Sequence, residues 1–247
     1  MRLGLSSEAA PDASVDDLIR FARRRGLAAL EFREGDAHGL AAGSSVPAGA
    51  AAAADAVRAA GLTLTGYRTH QLEDEESLAR LSEALGAPVL LAGGVPLATR
   101  VVRAKRIRDA GGQVAIVLQG DSAVWDGIVC HDAGLALAWE ADPHVGPVGV
   151  RAAPLLERFG DSLGHIRLIG GGPETALQDG AGIGDLMRHL ALTSYPGTVV
   201  LAPSTPRYGV AWQHWLGRRG GTGCGSSGGE RSALVSLDPR HQTGVRK

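Results

Sequence analysis

Several predicted strands of this chain end in side chains that could transfer protons. Glu31 and Arg33 end the second predicted strand, and His70 follows the third. Glu140 ends the sixth, and His144 comes shortly after it, beyond an Asp-Pro step that favours a turn. A carboxylate and an imidazole that face the same space can act as general acid and base toward a small molecule. We therefore take Glu31, His70, Glu140 and His144 as the candidate catalytic residues.

Each of these residues also has a structural interpretation. Glu31 can form an ion pair with a neighbouring strand-end cation such as Arg68, and His70 can be an exposed loop histidine. Glu140 can form a salt bridge with Arg167, which lies on the next predicted strand along the chain. Such pairing is expected because an unpaired buried charge is costly. The sequence leaves both interpretations open.

Cationic and amide side chains at other strand ends could bind a ligand. Arg167 is a fixed cation suited to a carboxylate or a phosphate, and Arg33 and Gln119 are further ligand-binding candidates. The glycine-rich residues 170–173 and the Ser-Thr pair at 204–205 follow the strands after which α/β barrels often hold phosphate. Glycine runs are equally typical of ordinary loops. A small sugar or an anionic small molecule is therefore the expected partner.

The composition argues against several classes of partner. The net charge is −1 and aromatic residues make up 4% of the chain, so we expect no nucleic-acid surface. No apolar run approaches the roughly 18 residues of a membrane span, and the first residues lack the apolar length of a signal peptide. Cys130 and Cys224 lack the paired spacing of a zinc site or a disulfide framework. We expect a cytoplasmic protein, and a homo-oligomer is compatible with the sequence.

Short apolar runs alternate with longer stretches of helical periodicity along most of the chain. Glycine closes many of the predicted helices, as is typical of helix C-termini. The predicted strands are 2–6, 27–32, 62–67, 88–92, 113–118, 134–140, 165–169 and 198–201. The predicted helices are 12–25, 47–60, 73–85, 97–110, 122–130, 148–159, 183–192 and 208–216.

Eight strand–helix units predict the α/β class, with parallel strands joined by crossover helices. A chain of 247 residues suits a single closed (β/α)₈ TIM barrel, which typically needs about 250 residues. The alternative is an open doubly wound sheet, but no Gly-x-Gly-x-x-Gly follows the first strand. We therefore predict a barrel over residues 1–219. The glycine-rich composition of residues 220–247 predicts a flexible tail.

Six short motifs together resemble the xylose isomerase-like barrels of sugar isomerases and sugar-phosphate epimerases. Each motif is weak alone, but their order and spacing match the family over most of residues 1–216. The resemblance implies a TIM barrel that acts as an isomerase or epimerase in carbohydrate metabolism. The motifs are residues 2–7, 26–33, 61–64, 85–94, 180–185 and 196–201.

The same resemblance implies a divalent metal at the carboxyl ends of the strands. Such an ion would stabilise the negative charge that develops on sugar oxygens. The family ligands are Glu, Asp, His and Glu on strands five to eight, and the matching positions here hold Gln119, Glu140, Arg167 and Ala202. Three of the four are not ligand-like, and a guanidinium repels a cation. We therefore predict a degenerate site with no metal ligands and no bound cofactor.

Two functions follow from these patterns. In the first, the chain is a sugar or sugar-phosphate isomerase or epimerase that acts without the usual metal or with a relocated one. In the second, it is a non-catalytic scaffold that binds a ligand or a partner on the same fold. Whether the chain is an enzyme stays open, and the sequence does not identify a substrate.

Overall fold

The computed structural model describes residues 1–36, 46–70, 74–119, 134–142, 145–169 and 182–202. Within these ranges the chain alternates strands with helices, as the sequence predicts. The strands are β1 (Arg2–Ser6), β2 (Ala29–Arg33), β3 (Thr63–Thr69), β4 (Val89–Leu91), β5 (Val114–Gln119), β6 (Ala136–Ala141), β7 (Leu163–Ile169) and β8 (Thr198–Ala202). The helices are α1 (Val15–Arg24), α2 (Val46–Ala59), α3 (Glu75–Leu85), α4 (Leu97–Asp109), α5 (Val148–Phe159) and α6 (Ile183–Leu192), with a 3₁₀ turn at Ser7–Ala9.

The eight strands form a closed parallel barrel in which each strand pairs with its neighbours in chain order. The ring closes between β1 and β8, where Leu3 pairs with Val199. This closure confirms the predicted barrel and shows that the open-sheet alternative is wrong. On three neighbouring strands, Gln119 pairs with Glu140, and Glu140 pairs with Arg167. Side chains at these three positions therefore point into the interior of the barrel together.

The apolar residues divide between two regions of very different size. The larger lies between the outer face of the sheet and the helices, and it includes Phe32, Tyr67 and Trp139. The smaller lies inside the barrel and consists of Leu90, Ala92, Ala115, Val117 and Ala138. Barrel interiors are usually filled by layers of bulky branched side chains. Here the small apolar cluster shares the interior with buried charged side chains, among them Glu31, Glu140 and Arg167.

Capping residues in the sequence fix where the helices begin and end. Ser14 caps α1, and its Oγ accepts a hydrogen bond from the backbone N–H of Asp17 at 3.2 Å. Asp74 caps α3 in the same way through Ser77, and α3 ends at Gly86, whose φ of 63° is left-handed. Each of the six described helices begins and ends within three residues of the predicted bounds.

Strand lengths differ more from the predictions. The third strand runs to Thr69 rather than Tyr67, and the seventh begins at Leu163 rather than His165. Both pair with a strand on each side, so ladder pairing extends them beyond their apolar runs.

Several predicted features lie outside the described residues. They are His144, the helices at 122–130 and 208–216, the loops at 170–173 and 204–205, and the tail at 220–247. Among the described helices, none has both the length and the apolar character required to cross a bilayer.

Candidate functional site

Arg167 on β7 is the centre of a buried group of charges inside the barrel. Its side chain is fully buried, and its Nε–H donates to both carboxylate oxygens of Glu31, each at 2.9 Å. Its Nη1 donates to Glu140. Its Nη2 lies 3.2 Å from Glu8 Oε1, an ion-pair distance without hydrogen-bond geometry. One guanidinium therefore contacts three carboxylates.

A second arginine connects two of the same carboxylates nearer the mouth of the barrel. Arg68 Nε donates to Glu140 Oε1 at 3.0 Å, and its Nη1 donates to Glu8 Oε1 at 3.1 Å. We call Glu8, Glu31, Arg68, Glu140 and Arg167 the charged core. They come from strands on different sides of the barrel and from the 3₁₀ turn after β1. Parallel strands deliver their carboxyl-end side chains to one mouth, which explains how distant residues meet.

The charged core holds Glu31 in its ionised form. His165 Nε2 lies 2.8 Å from Glu31 Oε2, so this carboxylate faces both an imidazole and a guanidinium. Burial disfavours the charged carboxylate, but Arg167 and the hydrogen bond from His165 outweigh it and lower the pKa of Glu31 to about 2. Burial alone would lower the pKa of the Arg167 guanidinium. The charges of Glu31, Glu8 and Glu140 outweigh this effect and raise it. His165 is thus a buried partner of Glu31.

His70 lies at the exposed mouth, next to the charged core. Its Nδ1 is 2.9 Å from the carbonyl oxygen of Gly93, and its Nε2 contacts Nη1 of Arg68. A guanidinium only donates, so Nε2 accepts and Nδ1 carries the proton given to Gly93. These two contacts fix the orientation of the imidazole ring from both sides.

Gln119 and Arg33 occupy different places around the mouth. Gln119 is exposed at the end of β5, and its amide Nε2 donates to Glu140 Oε2. Arg33 pairs with Asp36, with Nε 3.0 Å from Oδ1, and its Nη1 is 3.9 Å from Glu8. The amide is therefore bonded to the charged core, whereas Arg33 belongs to a separate pair at its edge.

The structure brings together four of the residues singled out from the sequence: Glu31, Gln119, Glu140 and Arg167. The predicted salt bridge between Glu140 and Arg167 is confirmed. The suggested pairing of Glu31 with Arg68 is wrong, because Arg68 contacts Glu8 and Glu140 and Glu31 contacts Arg167.

Sequence reasoning missed two residues of this region. Glu8 follows β1 almost directly, so a carboxylate just beyond a strand end was the available signal. Arg100 lies in the first turn of α4 and reaches back to the strand ends, where its Nη1 donates to the carbonyl oxygen of Val117. No strand pattern points to Arg100, because a helix supplies it.

The donor atoms of this site do not fit a divalent cation. Arg167 occupies the oxygens of Glu31 and contacts Glu140, and Gln119 gives an N–H rather than an oxygen to Glu140. Divalent ions of this kind take carboxylate oxygens and imidazole nitrogens, and a guanidinium among those groups repels them. Ala202, at the fourth position implied by the resemblance, has no donor in its side chain. Within the described ranges, no cluster of three or more metal-binding side chains occurs.

The barrel is similar to solved structures with several activities. A xylose isomerase domain containing protein from Salmonella typhimurium LT2 matches at 16% identity and a TM-score of 0.58, over 88% of this chain and 93% of that one. A probable 3-DHS dehydratase from Bacillus anthracis matches at 12% identity and a TM-score of 0.62, over 90% and 100%. A D-allulose 3-epimerase from Methylomonas sp. matches at 15% identity and a TM-score of 0.54, over 86% and 90%.

The sequence itself matches no known family profile and no curated protein. The structural matches are below 25% identity, so they establish the fold and leave the reaction open. The chain has the TIM-barrel fold of xylose isomerase-like domains and sugar epimerases.

Proposed function

We propose that this chain is a sugar or sugar-phosphate isomerase or epimerase whose barrel mouth works without a divalent metal. The observation that carries the proposal is the guanidinium of Arg167 in contact with the three carboxylates Glu8, Glu31 and Glu140. A divalent cation among these carboxylates would lie next to the guanidinium of Arg167, which repels it. The structural likeness to an epimerase and to a xylose isomerase domain protein supports the reaction class.

His70 is the candidate that suits proton transfer. A general base works best when its pKa lies near the working pH, and the pKa of Glu31 is about 2. Glu140 is buried and bonded to Arg68 and Arg167. His70 is exposed at the mouth, and a substrate that displaces the contact between Arg68 and Nε2 would reach both this nitrogen and a cation that can stabilise negative charge on a substrate oxygen.

A non-catalytic scaffold is the second candidate function. It is favoured by the completeness of the charged core, in which Glu8, Glu31 and Glu140 each contact at least one arginine. A network that satisfies its own charges can serve stability alone. In that case, the mouth binds a sugar or another small molecule and converts nothing.

Deuterium exchange distinguishes these two functions even while the substrate is unidentified. Chelator-treated protein is incubated in D₂O with a panel of aldoses, ketoses and their phosphates, and proton NMR follows the hydrogen beside each carbonyl. A proton held by an imidazole exchanges with solvent, so an isomerase replaces this hydrogen with deuterium. We expect exchange in wild type and its loss in His70→Gln, with ligand affinity retained. Binding without exchange on any sugar would support the scaffold.

Metal dependence is tested by thermal unfolding of chelated protein with and without Mn²⁺ or Mg²⁺. We expect the same midpoint in both conditions. The Arg167→Ala variant is the positive control, because it frees the carboxylates and should gain a metal-dependent rise in midpoint. A rise of several degrees in wild type would contradict a metal-free mouth.

A further inference from the structure

Arg100 places a guanidinium at the barrel mouth without an acidic partner among the described residues. It lies in the first turn of α4, directly after the loop that leaves β4, and its side chain is half-buried. Its Nη1 donates to the carbonyl oxygen of Val117 on β5, and the carbonyl oxygen of Leu91 on β4 lies 3.4 Å away. The side chain therefore spans the ends of two neighbouring strands.

The opposite edge of this guanidinium has no partner in the described part of the chain. Nε is buried and forms no hydrogen bond, and Nη2 forms no bond to a described residue. Arg33, Arg68 and Arg167 each contact a carboxylate within 4 Å, whereas Arg100 forms no such pair with any described residue. Within the described ranges, Arg100 is thus the one of these four guanidiniums whose charge is left unpaired.

The burial of Arg100 makes an unpaired positive charge at this position unfavourable. Burial lowers the pKa of Arg100, and the charge of Glu140 partly opposes that effect. Glu140 is itself bonded to Arg68 and Arg167, so it acts on Arg100 only from a distance. Buried donors in native proteins nearly always have an acceptor, so the buried Nε of Arg100 favours an acceptor supplied by a bound molecule.

We propose that Arg100 binds the oxyanion, a carboxylate or a phosphate, of a small molecule held at the mouth. Nε and Nη2 lie on one edge of the guanidinium and present two parallel N–H groups, the geometry that matches a carboxylate or phosphate. Arg167 cannot take this role, because each of its three nitrogens already contacts a carboxylate. This inference rests on the proposed function in one respect, which is that the small molecule is bound at the mouth of the barrel.

Gln119 supplies a polar neighbour for the same ligand. Arg100 bonds to Val117, two residues before Gln119 on β5, and Gln119 is exposed at the strand end. Its amide nitrogen donates to Glu140, which holds the amide group at the mouth on the strand that Arg100 contacts. The mouth therefore offers a charged group for the oxyanion and an amide for the sugar.

Calorimetric titration of the chelator-treated full chain tests the role of Arg100. The probes are glucose, glucose 6-phosphate, gluconate and inorganic phosphate, which separate a sugar-borne phosphate, a carboxylate and a free phosphate from the neutral skeleton. We expect at least one anionic sugar to bind more tightly than glucose. The Arg100→Met variant should weaken that probe by about 10- to 100-fold and leave glucose unchanged, because it removes charge-assisted hydrogen bonds.

Two further variants guard against an effect on folding. Arg100→Lys keeps the charge but loses the two-pronged edge, so its affinity should lie between those of wild type and Arg100→Met. Arg106→Met is the matched control on the outer face of α4, where Arg106 is exposed and lies 3.7 Å from Glu75. It should bind every probe as wild type does. Circular dichroism verifies that each variant is folded.

The outcomes separate this inference from the proposed function. Equal affinity for glucose and all anionic probes, or no binding of any anionic probe at millimolar concentration, would overturn the role of Arg100. Loss of affinity in Arg106→Met equal to that in Arg100→Met would do the same. Binding that requires Mn²⁺ would instead contradict the metal-free function, and the selective loss in Arg100→Met would still support the oxyanion site.

Discussion

At the residue scale, the interior of the barrel depends on a single guanidinium. Arg167 is fully buried and contacts Glu8, Glu31 and Glu140. Removing one member of a buried ion pair costs more than the pair contributes, because the remaining charge stays buried without compensation. Without Arg167, Arg68 would still contact Glu8 and Glu140, but Glu31 would lose its arginine. The loss of stability on substitution of Arg167 therefore measures how much its ion pairs contribute to the charged core.

We expect Arg167→Ala to lower the free energy of unfolding by about 3–5 kcal/mol in urea titrations. The control is Arg188→Ala, since Arg188 forms an exposed pair with Asp185 at 3.0 Å. That variant should change stability by less than about 0.5 kcal/mol. Equal effects of the two substitutions would show that the buried contacts contribute little.

Glu31 gives the charged core a defined pH dependence. Its pKa is about 2 in the folded protein against an ordinary value of 4.5, so the unfolded chain binds this proton first as the pH falls. The stabilisation is present in full above pH 4.5 and is lost as the pH falls toward 2. It is on the order of 3 kcal/mol.

The Glu31→Gln variant should therefore lose less stability than wild type between pH 4.5 and 2. Its unfolding free energy at neutral pH should already be lower, because the ion pair with Arg167 is gone. Urea titrations at several pH values measure both effects. The exposed Asp185→Asn serves as the control and should keep the wild-type slope. A Glu31→Gln curve parallel to that of wild type would contradict the low pKa of Glu31.

At the scale of the elements, glycine makes room inside the barrel. A Cβ built at Gly66 on β3 would lie 2.7 Å from Leu90 Cδ1, closer than such contacts permit. Leu90 belongs to the small apolar cluster of the interior. We expect Gly66→Ala to destabilise the protein by about 1–3 kcal/mol, because interior side chains must shift.

A double-mutant cycle with Leu90→Ala tests this contact. The double variant should lose less stability than the sum of the two single losses, because the shorter side chain at 90 relieves the overlap. The control is Gly164→Ala on β7, where a Cβ meets no atom within 4 Å and φ is not positive. Additive losses at 66 and 90 would contradict the proposed overlap.

The elements were largely predictable, whereas their contacts across the barrel were not. Periodicity and caps such as Ser14 located the helices, because these signals are local in the sequence. The order of the predicted strands also allowed the salt bridge between Glu140 and Arg167, which lie on neighbouring strands. The pairing of Glu31 with Arg167 was not predicted, since it joins strands that are not neighbours and depends on the tilt of the closed ring. The role of Arg100 was not predicted either, because its side chain reaches the mouth from a helix rather than from a strand.

At the scale of the whole molecule, two kinds of interaction stabilise two different regions of the barrel. The apolar core lies almost entirely between sheet and helices, and the interior holds Glu31, Glu140 and Arg167, each at most 2% exposed. Hydrophobic burial changes little with pH, but the buried ion pairs require ionised carboxylates. Acid should therefore weaken the interior of the barrel before it weakens the outer layer.

The closure of the ring depends on its last strand. β8 pairs with both β7 and β1, so the ring of eight strands closes through Thr198–Ala202. The glycine-rich residues 220–247 contain little apolar sequence, and we expect truncation after Arg219 to leave the thermal midpoint unchanged. Truncation after Pro196 is the contrasting variant, because it removes β8 and opens the ring between β1 and β7. It should abolish cooperative unfolding in circular dichroism. A fall of several degrees on truncation after Arg219 would show instead that residues 220–247 pack against the barrel.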